Sequence, residues 1–552
     1  MIFRKTANFF TFFLILVTAT AAATAVLETP IDLTKAMREH LQCYPLDLVY
    51  LEKQRPSIIR QDVCLATIYH EMGAVPLWVS GKGPSEKAEI VLGYLQRAGE
   101  EGLDPLDYQI DKIEGLWKER SPDGLAILDT LLTYNTVKYV HDVSHGQLKP
   151  FMADPELFAE AGEKSFDPVA TIEKIMASDD IDTYFFHLPP DNIHYRGLKT
   201  GLAAYRALPP YGDWSPISYS KNIHPGDVDE SIFQIRQRLQ YLFALVSPSE
   251  IENPMLYDDK LEENVMLFQS IHGLKVDGVI GKNTLQELNT SPAERIDQIR
   301  INMARWRWQD HDLGKEYVLV NIADFELYGY RDNEQSLRLP VIVGELQHQT
   351  PVFSDQIKYV EFNPFWNVPT SIAVKEDLPK LRSNPNYLVE KNIRLFSNWQ
   401  EDGVELDSTA IDWSSVSKSQ MARYKLRQDP GPANALGRMK VVFPNHYSVY
   451  MHDTPTKNLF KEHSRSFSHG CIRVSSPEQL AEFLLEKNEG KWDRETIKML
   501  MADTARKVVR LDTSLPVHIT YQTAWLDKNG RIHFNRDIYG RDKKLYKALL
   551  EK

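Results

Sequence analysis

The chain has 552 residues, 43% hydrophobic and 25% charged, with a formal net charge of −12. That length exceeds what one hydrophobic core serves and argues for about three domains of roughly 100–200 residues each. The acidic balance excludes nucleic acid as the partner, because phosphate binding needs a basic face that releases counterions.

At the N-terminus, Arg4 and Lys5 precede an apolar run from Phe9 to Val17, and Ala21, Ala23 and Ala25 fit a small-residue cleavage site. Residues 1–25 therefore read as an export signal into the periplasm. The uncharged span between Lys5 and Glu28 also approaches the ~20 residues that cross a bilayer, so a cleaved signal peptide and an uncleaved anchor in the inner membrane both stay open. Export changes the meaning of the three cysteines, because oxidising compartments favour disulfides and an odd count leaves one thiol over. Cys43 and Cys64 are expected to pair, closing a loop of about 20 residues worth ~3 kcal/mol; two free buried thiols are the alternative. Cys471 is the odd one.

Residues 28–220 read as a helical scaffold. Val91, Leu92, Leu95 and Ala98 recur at helical spacing, as do Leu128, Leu131, Leu132 and Tyr139. A Ser-His-Gly triplet at 144–146 is followed by Gln147, so His145 reads as a loop or helix-end residue. Proline pairs at 189–190 and 209–210 interrupt helices and suggest a boundary near 207–225. In residues 227–290, Leu261, Val265 and Phe268 share one helical face, Asp277-Gly278 and Gly281 supply a turn, and Thr284, Leu285 and Leu288 open another helix. The pattern "FQ…GL…DGVIGKNTLQEL" resembles the small three-helix peptidoglycan-binding domain. Over 291–312, Ser291, Pro292 and Glu294 announce a capping box and a connecting helix, with Trp306 and Trp308 expected to pack against the next domain rather than grip sugar. From residue 316 to 525 the period becomes alternating: "YVLVNI", "FELYGY", "LPVIVG", "KYVEF", "MKVVF" and "YSVYM" are short β-branched or aromatic runs between turns, the pattern of a mostly antiparallel β-sandwich or barrel. A charged insertion at about 372–428 reads as a lid. Residues 526–552 form a C-terminal segment without an assigned role. The fold class expected is multidomain α+β.

The chemistry concentrates in "HSRSFSHGCIRVSSPE", residues 463–478. A thiol is a nucleophile only as thiolate, so it needs a base or a cation beside it. His452 ends an apparent strand nineteen residues before Cys471, and His469 lies two residues before it. Gly470 permits a tight bend and brings backbone N–H groups to the substrate as an oxyanion pocket. His446, His452, His463, His469 and Cys471 also suggest zinc, but their spacings form no pair of ligand knuckles, and no metal or cofactor is expected.

"YMHDTP…SFSHGCIRV" resembles the active-site signature of the L,D-transpeptidases (YkuD-type catalytic domain). The likeness extends through "LVNIADFELYGY", "VGELQHQTPVFSDQIKYVEFNPFWNVP" and "GPANALGRMKVVFPN", in the manner of the large Gram-negative members that carry a helical scaffold and a peptidoglycan-binding domain. The resemblance implies Cys471 as nucleophile and His452 as its base in a thiolate–imidazolium pair, with the histidine oriented by the backbone carbonyl of Asp453. His469, Gly470 and Cys471 are expected to shape the oxyanion pocket, and Arg473, Ser468, Tyr450 and Asp453 to contact substrate or hold the loop. Ser475 departs from the asparagine of many members. The implied reaction attacks a tetrapeptide stem, expels D-alanine and forms a 3-3 cross-link in peptidoglycan, and carbapenems are expected to acylate Cys471. The implied partners are peptidoglycan stem peptides and glycan strands, with other cell-wall synthases beside them. The alternatives are a peptidase or amidase of the same fold with water as acceptor, and a non-catalytic cell-wall-binding protein.

Overall fold

The computed structural model describes residues 31–43, 65–148, 150, 154, 165–210, 212, 214–243 and 251–549. Cys64 and residues 1–30 lie outside these, and with them the expected disulfide and the export segment. Among the described residues no helix is long and apolar enough to cross a membrane. The chain divides into two compact units, Met1–Lys149 with Glu163–Pro189, and Pro150–Gly162 with Pro190–Lys552.

The first unit is helical and is organised around α1, Pro122–Ser144, whose Leu125, Leu128, Leu132, Val137 and Val143 are all buried. Ser121 caps its start by accepting from the Gly124 amide. A buried carboxylate in the middle of α1 needs partners, and Asp129 has them: it accepts from Tyr69 Oη and from the amides of Leu77, Trp78 and Val79. His145 sits at the C-terminal cap of the helix, as its sequence context implies.

In the second unit, α2 (Ile193–Arg206) precedes a three-helix cluster of α3 (Ser231–Phe243), α4 (Asp259–Ile271) and α5 (Lys282–Asn289). Leu261, Val265, Phe268, Leu285 and Leu288 share its core with Ile232, Ile235 and Leu239. Gln269 is buried and fastens the turn: its Oε1 accepts from the Asp277 and Gly278 amides at 3.0 and 2.9 Å, and its Nε2 donates to Val279 O at 3.0 Å. The connecting helix α6, Pro292–Arg307, begins with the expected capping box of Ser291 and Glu294. Trp306 and Trp308 at its end are buried, and Trp306 stacks on His194 at 5.0 Å; both tryptophans pack.

One nine-stranded sheet carries the rest: β1 (Glu316–Asn321), β2 (Glu326–Arg331), β3 (Glu334–Gly344), β4 (Phe353–Phe362), β5 (Met439–Val442), β6 (Met451–His452), β7 (Ser466–Ser468), β8 (Ile472–Val474) and β9 (Lys507–Thr520). The order is β7-β3-β8-β6-β5-β4-β9-β1-β2, and β2 pairs with β3 as well, so the sheet closes on itself and only β7 branches off the ring. Most pairs are antiparallel; β6–β8, β9–β1 and β7–β3 are parallel. The parallel β6–β8 pair builds the site.

The insertion is a folded layer of its own. A four-stranded sheet pairs Trp366–Asn367, Lys425–Gln428, Ile393–Phe396 and Glu405–Leu406, over a core that includes Leu381, Leu388, Leu395, Trp413, Met421 and Leu426.

Candidate active site

Register decides which side chains meet. Across β6–β8 the partners are Met451 with Ile472 and His452 with Arg473; across β5–β6, Lys440 faces His452. Directly opposed residues share a face of a sheet, so Lys440, His452 and Arg473 form one row. Cys471 immediately precedes β8, on the same edge. Lys440 and Arg473 each act electrostatically on both Cys471 and His452, which gathers all four in one cluster.

Cys471 is a free, half-buried thiol. Its Sγ lies 3.9 Å from Ser448 O, and the Tyr450 hydroxyl hydrogen-bonds it. Tyr450 in turn meets the Trp366 side chain and carries the Lys440 ammonium 4.0 Å above its ring. His452 is 5% exposed. Its Nδ1 lies 2.5 Å from the Asp453 carbonyl; a carbonyl only accepts, so the proton sits on Nδ1 and Nε2 is free to act as a base.

Burial pushes the Cys471 thiol up from its ordinary value, against the opposing pull of Tyr450, Lys440 and Arg473. Burial also lowers His452 to about 3, and Arg473 pushes in the same direction. Both shifts favour a neutral thiol and a neutral imidazole at rest, instead of the ion pair that the resemblance implies.

The loop that carries Cys471 is held by Ser468 within it and by Thr350 beside it. Ser468 is buried; its Oγ donates to Cys471 O at 2.6 Å and accepts from the Gly470 amide at 3.2 Å. Thr350 Oγ1 donates to Gly470 O at 2.9 Å. Gly470 adopts φ +104, a backbone only glycine enters readily, while a Cβ there meets nothing closer than 3.7 Å; the requirement is conformational, not steric. At Gly344 the reason is the reverse, since a Cβ would stand 2.1 Å from His348 O.

The remaining residues singled out in the sequence divide. Tyr450 and Arg473 face the thiol. Arg473 donates to Thr456 Oγ1 at 3.4 Å and has no carboxylate partner among the described residues. The Asp453 carboxylate accepts from the Arg438 amide at 2.8 Å and pairs with Lys457 at 2.6 Å; its carbonyl is what serves His452. The Ser468 hydroxyl serves the loop. His469 is exposed and its Nε2 lies 2.7 Å from Glu376 of the insertion. The five-residue histidine and cysteine set is not brought together: among the described residues, His469 is its only member in a group spaced to hold an ion, with Glu345 and His348.

Three participants were not visible in the sequence. Lys440 needs the register of β5 to reveal it, and Trp366 and Glu376 come from the edges of the insertion.

With this geometry in place, the comparisons assign the class. Residues 315–508, which include most strands of the sheet together with His452 and Cys471, match the family model of the L,D-transpeptidase catalytic domain. Residues 64–202 match a "Scaffold domain" and residues 229–288 a "Putative peptidoglycan binding domain". A "Putative L,D-transpeptidase" of Haemophilus influenzae is 34% identical over 289 residues, a match that spans 51% of this chain and 57% of the relative. Two solved L,D-transpeptidases are similar at 12% identity. That from Stackebrandtia nassauensis matches over 56% of this chain and 97% of its own with a TM-score of 0.21. That from Xylanimonas cellulosilytica matches over 55% and 100% with a TM-score of 0.18.

Proposed function

We propose that this protein is a peptidoglycan L,D-transpeptidase of the periplasm, with Cys471 as nucleophile and His452 as general base. The observation that carries the reading is the cluster on β5, β6 and β8: a half-buried free thiol, and an imidazole whose Nδ1–H is fixed on Asp453 O so that the Nε2 lone pair is free to accept a proton. Nε2 takes the thiol proton as Sγ attacks the carbonyl of the diaminopimelate L-centre in a tetrapeptide stem. The C–N bond to D-alanine breaks, His452 returns the proton to the departing amine, and a thioester is left on Cys471. A side-chain amine of a second stem attacks that thioester, gives a proton to His452 and expels the sulfur, which closes a 3-3 cross-link.

The oxyanion that forms at each attack needs a donor. The Gly470 amide is engaged by Ser468, so the amide of Cys471 is assigned that task. Arg473 and Lys440, each without an ion-pair partner within 4.0 Å among the described residues, receive stem carboxylates and stabilise the thiolate as it develops. The peptidoglycan-binding domain holds the glycan strand while the insertion covers the stem. Carbapenems acylate the same sulfur.

Incubation with purified disaccharide-tetrapeptide tests the reading. The expected product is a dimer lighter than two monomers by one D-alanine. Disaccharide-tripeptide as the sole product rejects cross-linking in favour of hydrolysis, and unchanged substrate leaves only wall binding.

A further inference from the structure

We infer that Glu345, His348 and His469, with Glu376 as a fourth ligand, form a zinc site at the rim of the active site. One ligand atom from each of Glu345, His348 and His469 lies within 4.8 Å of the other two. The His348 and His469 rings are 4.8 Å apart, His348 Nδ1 is 2.8 Å from Glu345 Oε1, and His469 Nε2 is 2.7 Å from Glu376 Oε1. Two imidazoles and two carboxylates offer the borderline nitrogen and hard oxygen donors that zinc takes in tetrahedral sites.

The four residues come from three separate segments, and the backbone fixes two of those segments together. The turn after β3 is pinned: the Glu345 amide donates to Ser468 O at 2.9 Å, the His348 amide donates to Glu345 O at 3.0 Å, and Thr350 Oγ1 bridges the Gly344 amide and Gly470 O, both at 2.9 Å. Glu345 and His348 are therefore held against the strand that delivers His469, so a cation binds without ordering a loop first. Drawing the Glu345, His348 and His469 ligand atoms from 4.8 Å to the ~3.3 Å edge of a zinc tetrahedron asks only for side-chain rotation, because His469 is exposed and the other two are half-buried; Glu376 stands outside that group of three and joins it by turning from His469 Nε2 toward the ion.

The site lies two residues from the nucleophile and takes Glu376 from the insertion. An ion here ties the insertion to the nucleophile's loop through metal bonds in place of the present His469–Glu376 contact. The acyl-transfer chemistry does not require the ion. Zinc binding therefore stands or falls independently of the proposed activity.

The test is a zinc titration of the full chain carrying Cys471→Ala, which removes the thiol as a competing ligand, read by competition with a chromophoric chelator and by the visible spectrum of the cobalt(II) form. One equivalent is expected to bind, with tetrahedral cobalt bands and no sulfur-to-metal charge transfer. Adding His348→Ala, or the near-isosteric Glu345→Gln, is expected to weaken binding at least tenfold while the far-ultraviolet circular dichroism is unchanged. Absence of binding by the Cys471→Ala protein, or equal affinity in both double variants, overturns the site.

Discussion

At the scale of single residues, the account rests on how a buried imidazole and a thiol share a proton. His452 is lowered to about 3, so it is an unprotonated base throughout the neutral range. Replacing it with alanine is expected to reduce acylation of Cys471 by roughly 10²–10⁴-fold, measured as pre-steady-state adduct formation; an active variant removes the base assignment. Lys440 is more diagnostic. Its charge draws the thiol pKa downward, so Lys440→Met is expected to move the pH profile of iodoacetamide alkylation to higher pH, and an unmoved profile contradicts the cluster. The difference between these two residues shows what the sequence can reveal. His452 and Cys471 stand in a motif whose spacing is local, whereas Lys440 acquires meaning only from its position opposite His452 across two strands.

At the scale of elements, the insertion behaves as a separate layer because it owns a core. Trp413 is buried there, with its Nε1 donating to Ser408 O at 2.8 Å. Trp413→Ala is expected to cost ~3–5 kcal/mol of local stability. Hydrogen exchange should accelerate over residues 366–428 while β4 and β9 keep their protection; acceleration throughout the sheet would show that the insertion is no separate unit. Charge and helical fragments marked this segment as an insertion in the sequence, but its four short strands were too brief to show a period. The capping box at Ser291 was legible because its two members, Ser291 and Glu294, lie within four consecutive residues. The closure of the sheet through β2–β3 was not, since strand pairing at long range leaves no periodic trace.

At the scale of the whole molecule, the C-terminal segment proves to brace the site. Arg541, fully buried in the helix α7 (Arg541–Leu549), bonds Asp154 and Gln349, and Tyr539 Oη donates to Gly344 O at 2.6 Å. Arg541→Ala removes a cation that pairs with the buried Asp154 carboxylate and is expected to destabilise the protein by ~3–5 kcal/mol in denaturant titration; a loss below about 1 kcal/mol would contradict this role. Residues 526–552 looked featureless in the sequence because an isolated arginine shows no sign of its partner almost four hundred residues away.

Acid response belongs to this scale too. His272, buried between Phe268 and Phe534, is held well below 6.5 by burial and by Arg295. An unfolded histidine takes up a proton below 6.5 while the folded one does not, so its contribution is full above 6.5 and is lost as pH falls from there. Asp129 and Glu326, raised to about 6 and about 7 by burial, act in the opposite sense, and only a paired comparison separates these effects. Between pH 7 and pH 5, His272→Phe is expected to lose ~1–2 kcal/mol less stability than the parent chain; equal losses would mean that His272 takes up its proton in the folded state.

The most direct test of the central claim is the intact mass of the protein, quenched in acid milliseconds to seconds after mixing with disaccharide-tetrapeptide. A single adduct equal to the donor minus D-alanine, located by peptide mapping on Cys471 and absent from Cys471→Ala, is predicted. An adduct of the same mass on the Cys471→Ala protein, or turnover with no covalent species at any time, would contradict acyl transfer through this sulfur.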